Sequence, residues 1–225
     1  MSRLLVSRRE RPSRSAVRAR GFTLLETMLT LVIVAVGVAA VFDAYQNFFR
    51  TNQWSTRTAT ASLLAAEVRE LTRSMPKHDG VTGLSLDTSG GTSVAVGWGR
   101  EPGEQTVLDI DDVDDLDGLV FSFNGEDQQN NEFAGPIDAA GNVIPQYVLS
   151  ATDDASGVTF TYGWQQSVEV VKVDPFDYSV VREPSYSETD IEIDEFPLRV
   201  TVTVSYQDFF DPEPLPITTV SWIVP

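Results

Sequence analysis

The sequence predicts an α+β fold in which one long N-terminal α-helix, its hydrophobic half protruding, packs on an antiparallel β-sheet head. Two observations predict this class. No proline interrupts residues 22–75, and their second half is rich in Ala, Leu, Arg, Glu and Thr, which favours a single helix. After Pro76 the chain changes to short apolar segments of alternating polarity, separated by turn residues. We therefore divide the chain into residues 1–21, a helix at 22–76 and an acidic β-rich head at 77–225.

The composition excludes several classes of site. The 225 residues include no Cys and a single His, His78, which rules out a disulfide framework, thiolate chemistry and a zinc site built on sulfur. The net charge of −17 is unevenly distributed: residues 1–21 hold seven Arg and one Glu, whereas the rest hold nine Lys and Arg against 32 Asp and Glu. Because an acidic body repels phosphate backbones, we expect the head to bind no nucleic acid.

Residues 22–42 read FTLLETMLTLVIVAVGVAAVF and contain one charged residue, Glu26. As a helix this run would be about 31 Å long, which matches a bilayer core of about 30 Å. The Arg-rich residues before it favour a cytoplasmic N-terminus, which places the acidic part of the chain across the membrane. We predict a transmembrane segment at 22–42, followed by an amphipathic segment at 43–76.

Three simpler interpretations compete with this one. The run could be a plain signal anchor, a buried core helix, or a secretory signal cleaved near Ala35-Val36-Gly37 or Gly37-Val38-Ala39. A secretory signal usually has a shorter apolar core without a carboxylate. A helix that packs on the core of a soluble protein usually keeps one polar face toward solvent, and residues 22–42 lack such a face.

Glu26 is the residue that needs an explanation. A carboxylate within a membrane span costs up to about 3 kcal/mol at mid-depth and less near the end, so it is usually functional and has a partner. Cleavage after Gly21 would create such a partner, because Phe22 would then carry a free α-ammonium group. That group could neutralise Glu26 of a neighbouring subunit when the two helices pack with an axial offset. The small Gly21 also suits a protease that must approach the backbone closely.

Residues 20–27 read Arg-Gly-Phe-Thr-Leu-Leu-Glu-Thr, between a basic leader and an apolar run. This segment resembles the N-terminus of type IV prepilins and type II secretion pseudopilins, in which a basic leader and Gly are followed by Phe-Thr-Leu-x-Glu. The leader of 21 residues is long for that family. The resemblance implies cleavage between Gly21 and Phe22 by a prepilin peptidase, N-methylation of Phe22, and a role for Glu26 in setting the register of subunits.

The resemblance further implies a structural subunit, which we expect to be a minor one, of a type IV pilus or a type II secretion pseudopilus. Its expected partners are the prepilin peptidase, other pilin or pseudopilin subunits through their N-terminal helices, and lipid of the inner membrane. It would span the inner membrane once with its head outside the cytoplasm, then enter a periplasmic or extracellular filament. The alternative is a membrane-anchored extracytoplasmic module that binds a ligand or calcium. Pilus, pseudopilus and DNA-uptake roles stay open.

In the amphipathic segment, apolar residues recur at three- and four-residue spacings and form one stripe, which predicts docking of the helix on its own head. The stripe consists of Trp54, Ala61, Leu64, Ala65, Val68, Leu71 and Met75. Residues 61–70 also look like the helix of some minor pilins and minor pseudopilins.

The clearest strand is Leu198–Tyr206, in which every second residue is apolar. We expect long loops at Gly125–Gly141 and Glu183–Pro197, the second of them solvated because it is rich in carboxylates. Further strands are predicted at Ser167–Val173, Thr218–Val224, Val94–Trp98, Leu119–Phe123, Val143–Leu149 and Val158–Tyr162.

Residues 109–117 hold six carboxylates in nine positions. Such a cluster is either a solvated acidic turn or a cation site, and Ca²⁺ prefers several oxygen ligands. The spacing differs from the EF-hand pattern, because Val113 and Leu116 fall where ligands or Gly would be needed. The candidate calcium ligands are Asp111, Asp112, Asp114, Asp115 and Asp117.

No catalytic constellation stands out, so we expect a protein that is not an enzyme. Asp87-Thr88-Ser89-Gly90 is similar to the aspartic protease loop, but its Gly comes one position late and a second copy is missing from the sequence. For His78, after the helix end, we expect a capping role or exposure to solvent. No cofactor is expected besides calcium in the acidic cluster.

Overall fold

Helix α1 spans Leu24–Thr72 and confirms the predicted continuous helix, which ends slightly before the expected boundary at Pro76. The chain divides into two compact units, Met1–Thr51 and Asn52–Pro225, so that α1 begins in the first and ends in the second. The computed structural model describes residues 23–125, 130–152 and 159–225.

In the first unit, α1 presents an apolar surface. Every residue from Leu24 to Thr51 is exposed. This part of α1 is long and apolar enough to cross a membrane. The aromatic residues Tyr45, Phe48 and Phe49 extend the exposed surface beyond the predicted span, and the ring of Phe49 contacts those of the other two.

The second unit contains a seven-stranded sheet and a separate two-stranded sheet. The strands are β1 (Ser85–Asp87), β2 (Val94–Val96), β3 (Val120–Ser122), β4 (Glu132–Ala134), β5 (Val148–Thr152), β6 (Thr159–Val173), β7 (Val181–Arg182), β8 (Leu198–Gln207) and β9 (Leu215–Val224). The main sheet has the order β4-β3-β6-β8-β9, and β5 and β7 also pair with β6. All pairs are antiparallel, as predicted, except β3 with β4, which is parallel.

The second half of α1 packs on this sheet through four small or aliphatic residues that are at most 1% exposed: Ala61, Leu64, Ala65 and Val68. They form one cluster with apolar residues of β3, β6 and β8, including Phe121, Val168 and Val202. Leu71 and Met75 are partly buried against the same cluster. The predicted docking stripe is therefore confirmed from Ala61 onward.

Trp54 does not belong to the docked stripe, because 57% of it is exposed. The contact of α1 with the sheet begins one helical turn later, at Arg57. Its guanidinium pairs with the carboxylate of Asp208 at 2.6 Å and lies over the ring of Tyr206 at 4.3 Å from the centroid. Periodicity gives the face of a helix, but not the point at which the sheet beneath it ends.

Gln166 of β6 ties the helix and a loop to the sheet from inside the core. Its amide nitrogen donates to the carbonyl oxygens of Leu64 at 2.9 Å and Ile137 at 3.1 Å, and its amide oxygen accepts the N–H of Ile137 at 2.8 Å. Because Gln166 is fully buried, all three bonds lie away from water. A second polar link joins the N–H of Ala139 to the carboxylate of Glu67 at 2.9 Å.

Gln166→Leu is expected to lower the free energy of unfolding by about 2–4 kcal/mol, because it leaves the buried backbone groups of Ile137 without their partner. Urea denaturation of the full chain in detergent, followed by Trp fluorescence, measures the change. Gln165→Leu is the matched control, since Gln165 is the neighbouring half-buried residue on the other face of β6. Equal losses in the two variants would contradict the assigned role of Gln166.

Most predicted strands are confirmed as parts of β2, β3, β6, β8 and β9. The strand predicted at Val143–Leu149 is wrong, because Pro145–Tyr147 forms a 3₁₀ turn and β5 starts at Val148. The first residue of the predicted Val158–Tyr162 strand lies outside the described residues, and the remainder belongs to β6. The loop predicted at Gly125–Gly141 contains β4.

Gly135 explains how the chain that follows β4 packs so closely against Phe121 of β3. A Cβ atom at this position would lie 2.6 Å from the Cβ of Phe121, so only glycine fits without displacing the core. Two residues later, Ile137 is fully buried. This segment is therefore part of the core and not a surface loop.

Candidate functional site

Three of the six carboxylates in the acidic segment at 109–117 are fully buried in the head, so the interpretation of this segment as a solvated turn is wrong. The cause lies in two apolar residues within it: Val113 and Leu116 are fully buried in the core, and the 3₁₀ turn at Asp114–Leu116 draws the neighbouring carboxylates inward. Asp111 stays exposed and Asp117 is half-buried. The fully buried carboxylates are those of Asp112, Asp114 and Asp115.

Two backbone hydrogen bonds hold this segment beside the chain that follows α1. The N–H of Val113 donates to the carbonyl of Pro76 at 3.0 Å, and the N–H of Asp114 donates to the carbonyl of Lys77 at 3.3 Å. The acidic segment is therefore fixed to the residues that leave the helix.

Two of the predicted calcium ligands, Asp114 and Asp117, have protein partners instead. Asp114 contacts Nδ1 of His78 at 2.5 Å and accepts the N–H of Gly99 at 3.3 Å. Asp117 accepts the indole N–H of Trp98 at 3.3 Å and the N–H of Val170 at 3.0 Å. These contacts join the acidic segment to β6 and to the chain after β2.

His78 is buried, which contradicts the expected exposure to solvent. Burial lowers the pKa of His78 to about 4, although the nearby Asp112 acts in the opposite direction. Burial also raises the pKa of Asp114 to about 7. Near neutral pH these pKa shifts favour an uncharged imidazole on His78, which suits a structural hydrogen bond in the core.

The remaining carboxylates meet around Asp115. Asp111, Asp112 and Asp115 each offer an oxygen atom, and these atoms lie within 4.8 Å of one another. Glu101, Glu104 and Asp115 form a second such group. We call these five residues the Asp115 cluster. Three of its members were predicted from the acidic run, whereas Glu101 and Glu104 were missed.

A sequence feature points to the missed pair. Glu101 and Glu104 flank Pro102-Gly103, a typical turn dipeptide, and the N–H of Glu101 donates to the carboxylate of Glu104 at 2.8 Å. The turn brings two carboxylates to one side of the loop. Nothing in the spacing shows that this side faces Asp115, because that contact depends on the fold.

Several oxygen atoms in the Asp115 cluster are buried without a hydrogen-bond partner among the described residues. Asp112 uses one oxygen to accept the N–H groups of Asp114 at 2.9 Å and Asp115 at 3.1 Å, but its Oδ2 has no partner. The same holds for Oδ1 of Asp115 and for both carboxylate oxygens of Glu101. Unpaired buried carboxylate oxygens are costly.

Burial and crowding raise the pKa values of Asp112 and Asp115, which makes both carboxyl groups weaker acids. Burial raises the pKa of Asp112 to about 8, and the Asp114 side chain adds to the effect. Burial likewise raises the pKa of Asp115 to about 8, with contributions from the charges of Asp112, Glu104 and Glu101. The cluster can therefore hold either protons or a cation.

The predicted processing residues Gly21 and Phe22 lie outside the described residues. Thr23 begins the described chain, and its hydroxyl accepts the N–H of Glu26 at 3.3 Å, as an N-cap residue does. Glu26 therefore lies in the first turn of α1 and is exposed. The partial positive charge of the helix N-terminus favours a carboxylate there.

The hydroxyl groups near Glu26 are satisfied within the helix. Thr27 donates to the carbonyl of Leu24 at 2.8 Å, and Thr30 donates to the carbonyl of Glu26 at 2.7 Å. Such bonds let threonine lie in lipid, where polar groups need internal partners. Between residues 23 and 42, Glu26 is the only charged residue in the sequence.

Comparison with known proteins gives one match. A family model described as the prokaryotic N-terminal methylation motif matches residues 17–42, which contain Gly21, Phe22 and Glu26. A search of curated proteins and a search of solved structures found no match. The methylation motif, the long apolar helix and the β-rich head support the resemblance of the chain to the type IV prepilin and pseudopilin family.

Proposed function

We propose that this chain is a minor structural subunit of a type IV pilus or a type II secretion pseudopilus and acts by assembly, not by catalysis. The observation that carries the proposal is Glu26, the single charge in an exposed apolar stretch of α1 that lies within the methylation motif. The mature chain would be anchored in the inner membrane with its head outside the cytoplasm before it enters the filament.

Assembly would proceed through the first half of α1. The interior of a filament is as apolar as lipid. Moving residues Leu24 to Phe42 from the membrane into the filament therefore costs little free energy. Glu26 distinguishes the two environments, because only a neighbouring subunit can supply the ammonium group of Phe22. In apolar surroundings such a pair is much stronger than in water, and it forms at one axial offset of the helices.

The charge of the mature chain supports a minor role. Residues 22–225 hold nine Lys and Arg against 32 Asp and Glu. A filament composed mainly of this chain would place strongly like-charged heads side by side, which opposes assembly. A few copies among less acidic subunits avoid that repulsion.

The alternative is a membrane-anchored extracytoplasmic module that binds calcium, and the buried Asp115 cluster favours it. The two functions differ in what the N-terminus must do. A binding module needs only an anchor, whereas a filament subunit needs a free, methylated Phe22.

Mass spectrometry of the mature N-terminus tests the proposal. In cells that contain a prepilin peptidase, the chain is expected to begin at methylated Phe22, and Gly21→Val is expected to retain the leader because a branched side chain blocks close approach to the backbone. Gly37→Val is the matched control: a Cβ there meets no atom within 4 Å in the described part of the chain, so cleavage after Gly21 should continue.

Two results would overturn the proposal. A mature chain that keeps its Arg-rich leader would indicate a plain anchor. A chain that begins near residue 40, with cleavage blocked by Gly37→Val and not by Gly21→Val, would indicate a secretory signal.

A further inference from the structure

We propose that the Asp115 cluster binds a calcium ion in the head, a property that goes beyond filament assembly. The candidate ligands form two groups of three that share Asp115: Glu101, Glu104 and Asp115 in one, and Asp111, Asp112 and Asp115 in the other. Ca²⁺ binds oxygen ligands at about 2.4 Å, so two ligands on opposite sides of one ion are about 4.8 Å apart. The oxygen atoms of each group lie within that distance of one another.

The buried oxygen atoms without partners indicate a built site and not merely a run of acidic residues. Asp112 and Asp115 are fully buried, and each has one oxygen without a hydrogen-bond partner among the described residues. The other oxygen of Asp112 is held by two backbone N–H groups, which fix the orientation of the carboxylate. Oriented, desolvated oxygen atoms with free lone pairs are what a cation site requires.

The ion pairs of Arg57, Arg73 and Arg182 lie outside the Asp115 cluster. Arg57 pairs with Asp208, Arg73 with Glu70 and Arg182 with Asp174. Packing carboxylates together without a counterion is unfavourable, and a divalent cation removes that cost.

The chemistry of the ligands favours Ca²⁺ over other metals. Every ligand is a carboxylate oxygen, whereas Zn²⁺ sites rely on nitrogen and sulfur. Mg²⁺ demands near-ideal octahedral geometry and keeps most of its water, while Ca²⁺ accepts six to eight oxygen ligands in irregular arrangements. The exposed Asp111 gives the ion a path from solvent and leaves room for water ligands.

The position of the site predicts its effect. An ion held by Glu101, Glu104 and Asp115 would join the Glu101–Glu104 turn to the acidic segment, and that segment is bonded to Pro76 and Lys77 after α1. Calcium would therefore stabilise the part of the head that follows the helix, without changing the N-terminal half of α1.

The test compares the full chain in detergent after chelator treatment, with and without added CaCl2. Titration calorimetry is expected to show one calcium ion per chain. Calcium at 100-fold above its Kd is expected to raise the melting temperature by about 5–10 °C. The double variant Asp112→Asn, Asp115→Asn, which keeps the shape of both side chains, should bind at least tenfold more weakly and lose the rise in melting temperature.

Asp109→Asn is the matched control, because Asp109 belongs to the same acidic run but lies outside the Asp115 cluster and bonds to Thr106. It should respond to calcium like the wild type. If the double variant does not fold, Glu101→Gln replaces it and should weaken binding in the same direction. An equal response of Asp109→Asn and the double variant, an equal response to MgCl2, or no binding by the wild type at millimolar CaCl2 would overturn the proposal.

Discussion

Glu26→Ala is expected to leave the chain inserted in the membrane but to reduce its incorporation into filaments at least tenfold. Removing the carboxylate makes insertion slightly easier, because a charge no longer enters lipid. In the assembled filament it leaves the Phe22 ammonium group of a neighbour without a partner in apolar surroundings. A loss of only 1.4 kcal/mol per contact already gives a tenfold change. Membrane fractionation and quantification of the chain in sheared filaments measure the two effects separately.

Two further variants separate charge from general disturbance of the helix. Glu26→Gln keeps the size of the side chain but removes its charge, and it should assemble as poorly as Glu26→Ala. Asp43→Ala removes another exposed carboxylate from α1, outside the apolar run, and should assemble normally. Normal incorporation of Glu26→Ala, or an equal defect in Asp43→Ala, would show that Glu26 does not set the register of subunits.

The sequence predicts the long elements well, because their patterns are local. Helix α1 contains an uninterrupted run without proline, and β8 alternates apolar and polar residues over its whole length. The short strands β1, β4 and β7 carry no such pattern, since each has only two or three residues. They exist because a neighbouring strand offers hydrogen bonds, and the parallel pairing of β3 with β4 likewise depends on the tertiary fold.

The residues of the candidate sites also differ in whether a local sequence pattern reveals them. Gly21, Phe22 and Glu26 can be found from the sequence, because the motif and its apolar context are contiguous. The carboxylates of the acidic run are also visible there, but their burial is not. It results from Val113 and Leu116, which enter the core and carry their neighbours with them. The contributions of Glu101 and Gln166 depend on contacts between distant segments, so no local pattern reveals them.

Leu64→Ala is expected to lower the free energy of unfolding of the head by about 3–5 kcal/mol, the upper range for a large-to-small substitution in a core. Leu64 is fully buried where α1 meets the sheet. Its carbonyl also receives the hydrogen bond from Gln166, so the neighbouring backbone cannot easily collapse into the cavity. Since domains of this size are stable by only about 5–15 kcal/mol, the loss should be visible as a large shift of the urea midpoint.

Leu63 provides the matched control, because it is the adjacent residue of the same type and 51% of it is exposed. Leu63→Ala should change the free energy of unfolding by less than about 1 kcal/mol, since little apolar surface is lost and alanine favours the helix slightly. The same two variants test how the head is attached. If docking of α1 through Leu64 stabilises the head, Leu64→Ala should also expose the segment after Thr72 to proteolysis while Leu63→Ala stays protected. Equal effects of the two substitutions would mean that the helix does not dock through the face that contains Leu64.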